Sequence, residues 1–290
     1  MPKTLSETLI PQPRDEGSAA EVSVAEGRDA QWARKDNLVR TKPRCSKNLL
    51  PIGLCLVSVG WIGGRTMLAT GQGGTGLFRA SKTARAPQFQ GNLGDWKGAG
   101  RVRFAGRPLG GHPRHATIYA LWDSANLYLA FDVHSSKLRA VVREHDGDKL
   151  WEDDGVEFLV DPGLHRTKSS TRSAAEGQFL PDDFSYHINI LNTVYDDRGT
   201  PSGAPDPKWT GTARHAVKIL DDYHYIVEVA VPWNEIGLAP KVGTRIGIDF
   251  CVNGKDPATG EYDYFDWCGL KVFHDPSGFG ELVLAGPRKH

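Results

Sequence analysis

Two residue types are scarce in this 290-residue chain, and each scarcity closes off a chemistry. Methionine occurs only as Met1 and Met67, so nothing from Ala86 onward can complete a Met/His axial pair for haem. A haem held by two histidines stays open among His112, His115, His134, His187, His215, His224 and His274. Cysteine occurs four times without a CxxC pair, which argues against a structural zinc site. A surplus of positive charge is also lacking, because 35 basic residues balance 35 acidic ones. A partner held through phosphates calls for a basic face, so nucleic acid is not expected. There is no G-x-S-x-G, H-E-x-x-H or P-loop motif, no internal repeat and no heptad pattern. The common hydrolase and nucleotide motifs are thereby excluded. Glu152, Glu157, Glu228 and Asp249 are carboxylates of the kind a glycoside hydrolase sets across a cleft. No spacing singles out a pair among them, and no catalytic domain is expected.

What is abundant points to turns and rings. Glycine (33) and proline (18) punctuate short apolar runs, as they do in all-β folds. Eight tryptophans exceed what a core of this size needs, and flat rings are one way proteins grip the apolar faces of sugars.

The chain changes character along its length. Residues 1–40 mix Pro, Glu, Ser, Ala and Arg without a sustained apolar period, which predicts a disordered segment. Arg40, Lys42, Arg44 and Lys47 then precede an uncharged run at 48–64. A basic flank before an apolar stretch predicts an export signal within 41–70. A membrane anchor through 48–64 is the alternative, although Pro51 and four glycines suit a spanning helix of ~20 residues poorly. A signal so placed is expected to follow a translation start near Leu38 or Val39. Residues 71–85 read as a Gly/Ser/Thr/Arg linker, and 86–290 as one exported, monomeric domain.

Within that domain strand follows strand. TIYALW (117–122) and LYLAFDV (127–133) alternate apolar and polar residues around a turn at 123–126, a hairpin signature. Further strands are predicted at 155–160, 184–191, 213–220, 223–231, 244–252, 261–268 and 281–284. Only 233–236, after Pro232, suggests a helical turn. Strands so regularly spaced predict a two-sheet antiparallel β-sandwich, jelly-roll-like in outline. Cys251 and Cys268 stand nearly equidistant from the turn at 256–260. They are either a cross-strand disulfide or two small core residues.

The most informative stretch is LWEDDGVEFLVDP at 150–162. Trp151 ends a loop, a burst of carboxylates follows, and a strand opens with Val156, Phe158 and Val160 on one face and Glu157 on the other. A tryptophan beside acidic groups suits a sugar, its ring covering C–H bonds while carboxylates accept from hydroxyls. Equally, Trp151 is a core anchor and 152–154 a solvated turn.

Five segments in order resemble carbohydrate-binding module family 9, over roughly residues 90–286. GNLGDW (91–96) is similar to the family's opening, and ALWD with LYLA (120–130) to its first hairpin. The stretch 151–161 is similar to WxxDxVExxxD, YIVEVAVPW (225–233) to VExxIPW, and HDPSGFG with ELVL (274–284) to DPxxFGxLxL.

The resemblance implies a non-catalytic module that binds plant-type oligosaccharide or polysaccharide, xylan- or cellulose-like, in carbohydrate catabolism. It implies a sugar held between two rings, Trp151 and Phe273, the latter standing where a xylanase-linked member has Trp. Glu157 matches the acidic residue that accepts from hydroxyls, and His187 falls where that member uses arginine, which loses bidentate reach. Asn253 lies on a strand that carries a polar ligand contact. With a smaller second ring, binding is expected in the upper micromolar to millimolar range, about 4–6 kcal/mol. The resemblance also implies structural calcium, for which Asp153, Asp154, Asp161, Asp182 and Asp183 are hard oxygen ligands in loops. An interaction module with a decayed sugar site is the alternative.

Overall fold

The computed structural model describes residues 76–166, 179–206, 208–270, 272 and 274–287. The expectations for 1–40, for 41–70 and for the first residues of the linker lie outside these, as does Phe273. No helix among the described residues is long and apolar enough to cross a membrane.

Among the described residues thirteen strands run in chain order: β1 (Leu77–Lys82), β2 (Gly100–Leu109), β3 (His112–Trp122), β4 (Asn126–His134), β5 (Gly155–Asp161), β6 (Phe184–Asn189), β7 (Val194–Gly199), β8 (Pro205–Asp206), β9 (Arg214–Asp221), β10 (His224–Pro232), β11 (Arg245–Lys255), β12 (Tyr262–Asp266) and β13 (Gly280–Ala285). The helical turn forms as α1 (Trp233–Ile236), stopped by Gly237 at φ 77°, a left-handed cap that glycine adopts without strain.

The strands fold into a β-sandwich because every second side chain is apolar. Leu127, Leu129, Phe131 and Val133 of β4, with Tyr225, Val227, Val229 and Val231 of β10, supply one inner face. Val156, Phe158 and Val160 of β5 and Ile246, Ile248, Phe250 and Val252 of β11 supply the other. The layers meet ring to ring, Phe131 lying 5.8 Å from Phe250 and 6.3 Å from Phe158 between centroids.

The two layers of the predicted antiparallel sandwich are joined along one edge. The strands form one hydrogen-bonded path, β8-β7-β6-β5-β11-β13-β1-β3-β4-β10-β9, with β12 on β11 and β2 on β3. β1 joins the halves: Leu77–Ser81 pair in parallel with Glu281–Ala285 of β13, and Ser81 and Lys82 with Leu121 and Trp122 of β3. The linker reading of 71–85 is therefore corrected at 77–82. That segment is a strand because Phe78 and Ala80 enter the core while Leu77, Arg79 and Lys82 are exposed. Gly100 permits this seam, since a Cβ there would sit 1.6 Å from the Arg79 carbonyl oxygen.

Candidate functional site

Of the sugar-binding residues expected from the sequence, Glu157, His187 and Asn253 lie on the outer face of β5, β6 and β11. One cross-strand row places Asp266, Cys251, Glu157, His187 and Tyr195 side by side on β12, β11, β5, β6 and β7. Asn253 pairs with Gly155 in the neighbouring row, and Ser185 with Asp197 in the row on the other side. Alternation alone puts these groups together, since the odd-numbered positions of β5, β6, β7 and β11 and the even-numbered ones of β12 face away from the core.

Hydrogen bonds tie the row into a network. Asn253 Nδ2 donates to His187 Nε2 at 3.0 Å, and the Tyr262 hydroxyl donates to Asn253 Oδ1 at 2.6 Å. An amide nitrogen only donates, so His187 Nε2 accepts and its proton sits on Nδ1, facing Glu157 Oε2 at 4.0 Å. Burial pushes the His187 imidazole down to about 3, so it is neutral at physiological pH. Burial pushes Glu157 up to about 7. Asp197 accepts from the Ser185 hydroxyl at 2.8 Å and lies 3.2 Å from His274 Nε2. Burial opposes a charged His274, but the Asp197 carboxylate outweighs it and holds the pKa above the ordinary value.

Trp151 belongs to a single 3-10 turn, Leu150–Glu152, packed against β6 and β11 with Leu150 buried and Trp151 half-buried. Glu152 Oε2 meets Lys255 Nζ at 2.6 Å and fastens this turn to the end of β11. Glu157, His187, Asn253 and the Trp151 turn are thus brought to one face. Tyr262, Asp197 and His274 join them without having been singled out from sequence for this site. The only signal for Tyr262 was its place on a strand with Tyr264; Asp197 and His274 arrive through register and loop closure.

The five aspartates separate into two groups. Asp161, Asp182 and Asp183 come together with His165, their donor atoms within 4.8 Å of one another. Asp183 is fully buried, its carboxyl is pushed up to about 8 by burial, and its Oδ1 has no hydrogen-bond partner among the described residues. Asp153 and Asp154 lie elsewhere and are occupied. Asp153 accepts from the Val141 and Val142 N–H groups and from Asn189 Nδ2. Asp154 accepts from the Arg139 N–H and the Ser135 hydroxyl. Their carboxylates hold the 135–142 loop, which is a reason for acidic residues at this position that needs no metal.

Of the two readings of the cysteine pair, a disulfide or two small core residues, the structure has the second. Both thiols are free and buried. The hairpin register sets Cys251 opposite Asp266, two residues short of Cys268. Cys251 Sγ turns to Asn253 Oδ1 at 3.5 Å, whereas Cys268 Sγ accepts the Gly280 N–H at 3.0 Å.

A family model described as carbohydrate family 9 binding domain-like matches residues 96–287. Endo-1,4-beta-xylanase A of Thermotoga neapolitana is 27% identical over 214 residues, 72% of this chain and 18% of that protein. Endo-1,4-beta-xylanase A of Thermoanaerobacterium saccharolyticum is 31% identical over 180 residues, 61% of this chain and 13% of that protein. The chain therefore spans under a fifth of the length of these curated relatives. Among solved structures, a carbohydrate binding module family 9 from Caldicellulosiruptor kristjanssonii in complex with cellotriose superposes with a TM-score of 0.50 at 20% identity. The match covers 74% of this chain and 96% of that one.

Proposed function

The chain belongs to the carbohydrate family 9 binding domain-like family, and from that premise we propose that it binds an oligosaccharide or polysaccharide without catalysing its hydrolysis. The observation that carries this reading is the convergence of Glu157, His187 and Asn253 on one sheet face beside the Trp151 turn. Trp151 offers a ring for the apolar side of a pyranose, with Phe273 as the second ring of the clamp. Glu157, His187 and Asn253 supply the acceptors and donors that fix hydroxyls. The solved relative holds cellotriose and the curated relatives are xylanases, which supports a glucan or xylan ligand. Export through 41–70, with a membrane tether through 48–64 as the alternative, fits a ligand that lies outside the cell.

Structural calcium belongs to the same proposal. Asp161, Asp182 and Asp183 fit a hard cation, because Asp183 Oδ1 is a buried carboxylate oxygen left without a partner among the described residues. Calcium bound there would offset most of the charge of three carboxylates and hold the chain after β5 against the start of β6.

Calorimetric titration of the full chain with xylo-, cello- and manno-oligosaccharides, beside Trp151→Ala and Glu157→Gln, tests the reading. Saturable heat that falls at least tenfold in affinity in either variant is expected. A second reading, an interaction module with a decayed site, draws on the burial of His187 and Asn253, 4% and 0% exposed. No heat with any sugar, with or without calcium, would leave that reading standing and remove the first.

A further inference from the structure

A second constellation lies away from the sheet face described above, at the open edge of the sandwich. β7 alternates, so Val194 and Asp196 turn to the opposite side from Tyr195 and Asp197. There a pocket of about 330 Å³ is lined by His145, Tyr186, Asn192, Asp196 and His215, among others. Asp146 adjoins it. His145 Nε2 lies 3.6 Å from Asp146 Oδ2 and 4.0 Å from Asp196 Oδ2.

Three features make this more than a chance meeting of charges. The Asp196 side chain is 2% exposed, yet its Oδ1 has no hydrogen-bond partner among the described residues. A buried carboxylate oxygen left unpartnered is costly, and the carboxyl is pushed up to about 6, chiefly by burial. The carboxylates are also pre-oriented. Asp146 Oδ1 accepts the Asp196 N–H at 3.3 Å, which leaves Oδ2 toward His145, and Asp196 Oδ2 accepts the Gly211 N–H at 3.3 Å. Finally, His215 Nδ1 lies 2.8 Å from Asn192 Oδ1. An amide oxygen only accepts, so the proton sits on Nδ1 and the Nε2 lone pair is free. Ordering of the outer nitrogen by a second group is how metal-ligating histidines are held.

We propose that this edge pocket binds a divalent transition-metal ion, zinc in the first instance, through His145 Nε2 and the carboxylates of Asp146 and Asp196, with His215 lining the same pocket as a further nitrogen donor. Ligand atoms at the usual zinc distances stand about 3.3 Å apart in a tetrahedron. The observed separations of 3.6 and 4.0 Å therefore close by less than an ångström. Mixed imidazole and carboxylate donors favour zinc and its neighbours over calcium. The ion would staple the loop that leads to Trp151 onto β7, where Asp146 N–H already donates to the Val194 carbonyl at 2.9 Å.

The test is calorimetric titration of the metal-stripped full chain with Zn²⁺, repeated with Asp196→Asn, His145→Gln and His215→Gln. Visible absorption of the Co²⁺ form is recorded in parallel. One zinc per chain is expected, with affinity at least tenfold weaker in Asp196→Asn and in His145→Gln, and excess Ca²⁺ unable to displace it. His145 is exposed, so its variant carries the test should Asp196→Asn fail to fold. His224→Gln is the control, because Asp132, His134 and His224 form another donor cluster on β4 and β10. Unchanged affinity in folded Asp196→Asn or His145→Gln overturns the proposal. So does loss of zinc only in His224→Gln, or displacement by calcium.

Discussion

The two outer faces of the sandwich dispose of polar groups in opposite ways. On β5, β6 and β11 the outer face is closed over: Glu157, His187, Asn253 and Asp249 are all less than a tenth exposed. His187 and Asn253 bond each other and Asp249 Oδ1 accepts the Cys268 N–H, while Asp249 Oδ2 has no hydrogen-bond partner among the described residues. On β3, β4 and β10 the outer face is divided. One end is covered by the 86–99 segment, where Trp96 packs on Tyr128, Ala130 and Ala230, and Glu228 accepts from Gly91 N–H and Trp96 Nε1. The other end lies half-open and carries three imidazoles, His115, His134 and His224, stacked at 4.5 and 3.9 Å. Similar residue types, both buried, meet different partners. Glu157 faces His187 Nδ1 at 4.0 Å, whereas Glu228 has two donors aimed at it, at 2.7 and 2.8 Å. A ligand face needs the first kind of arrangement, where donors and acceptors are held in place but not all consumed.

Four measurements break or sharpen that contrast, from the largest effect down. Phe158→Ala strikes the layer beneath both faces, and urea unfolding is expected to show a loss of about 3–5 kcal/mol; a loss below 1 would mean the layers do not rest on the ring stack. Glu157→Gln comes next, read against pH. The folded state keeps the Glu157 proton up to about 7 while the unfolded chain releases it near 4.5. Its contribution is therefore full below 4.5 and lost as pH rises through about 7. The glutamine variant should gain about 3 kcal/mol relative to wild type across that window, and a flat difference would show that Glu157 is solvated. Third, Glu228→Gln leaves a buried donor facing an amide and is expected to cost about 1–3 kcal/mol, without altering sugar affinity; a fall in affinity would make the two faces one functional unit. Last, His224→Ala on the half-open end should change stability at neutral pH by under about 1 kcal/mol. Burial and neighbouring charges depress His115 and His134, so the contribution of these two imidazoles should fall as pH drops below 6.5, opposite in sign to that of Glu157. That loss should survive in a control with Glu157→Gln.

How much of this was legible beforehand follows from the period-2 pattern. β4, β10 and β11 were readable because apolar residues alternate without interruption over most of each strand. β1 was not, since only Phe78 and Ala80 mark its inner side amid linker-like neighbours. β2 hides its inward Val102 and Phe104 between arginines, and β7 reads VYDDRG, which looks like a turn. At the site, Trp151 and Glu157 stood out by local spacing, and the register then gathered His187 and Asn253 beside them. Tyr262, Asp197 and His274 come from strands and loops far apart in the chain, so no local pattern announces them. The roles of Asp153 and Asp154 were hidden for a different reason: a clamp on loop backbone leaves no side-chain signature in its partner.

The seam strand carries one more consequence, a mechanical one. β1 lies near one end of the described chain and β13 near the other, and they run parallel over five residue pairs. A pull applied before Leu77 and after Ala285 drags the two strands in opposite directions along their length. All the bonds between them then share the load at once, in shear, instead of opening in succession like a zip. A domain tugged at these two strands is thereby locked most firmly where the strain arrives first.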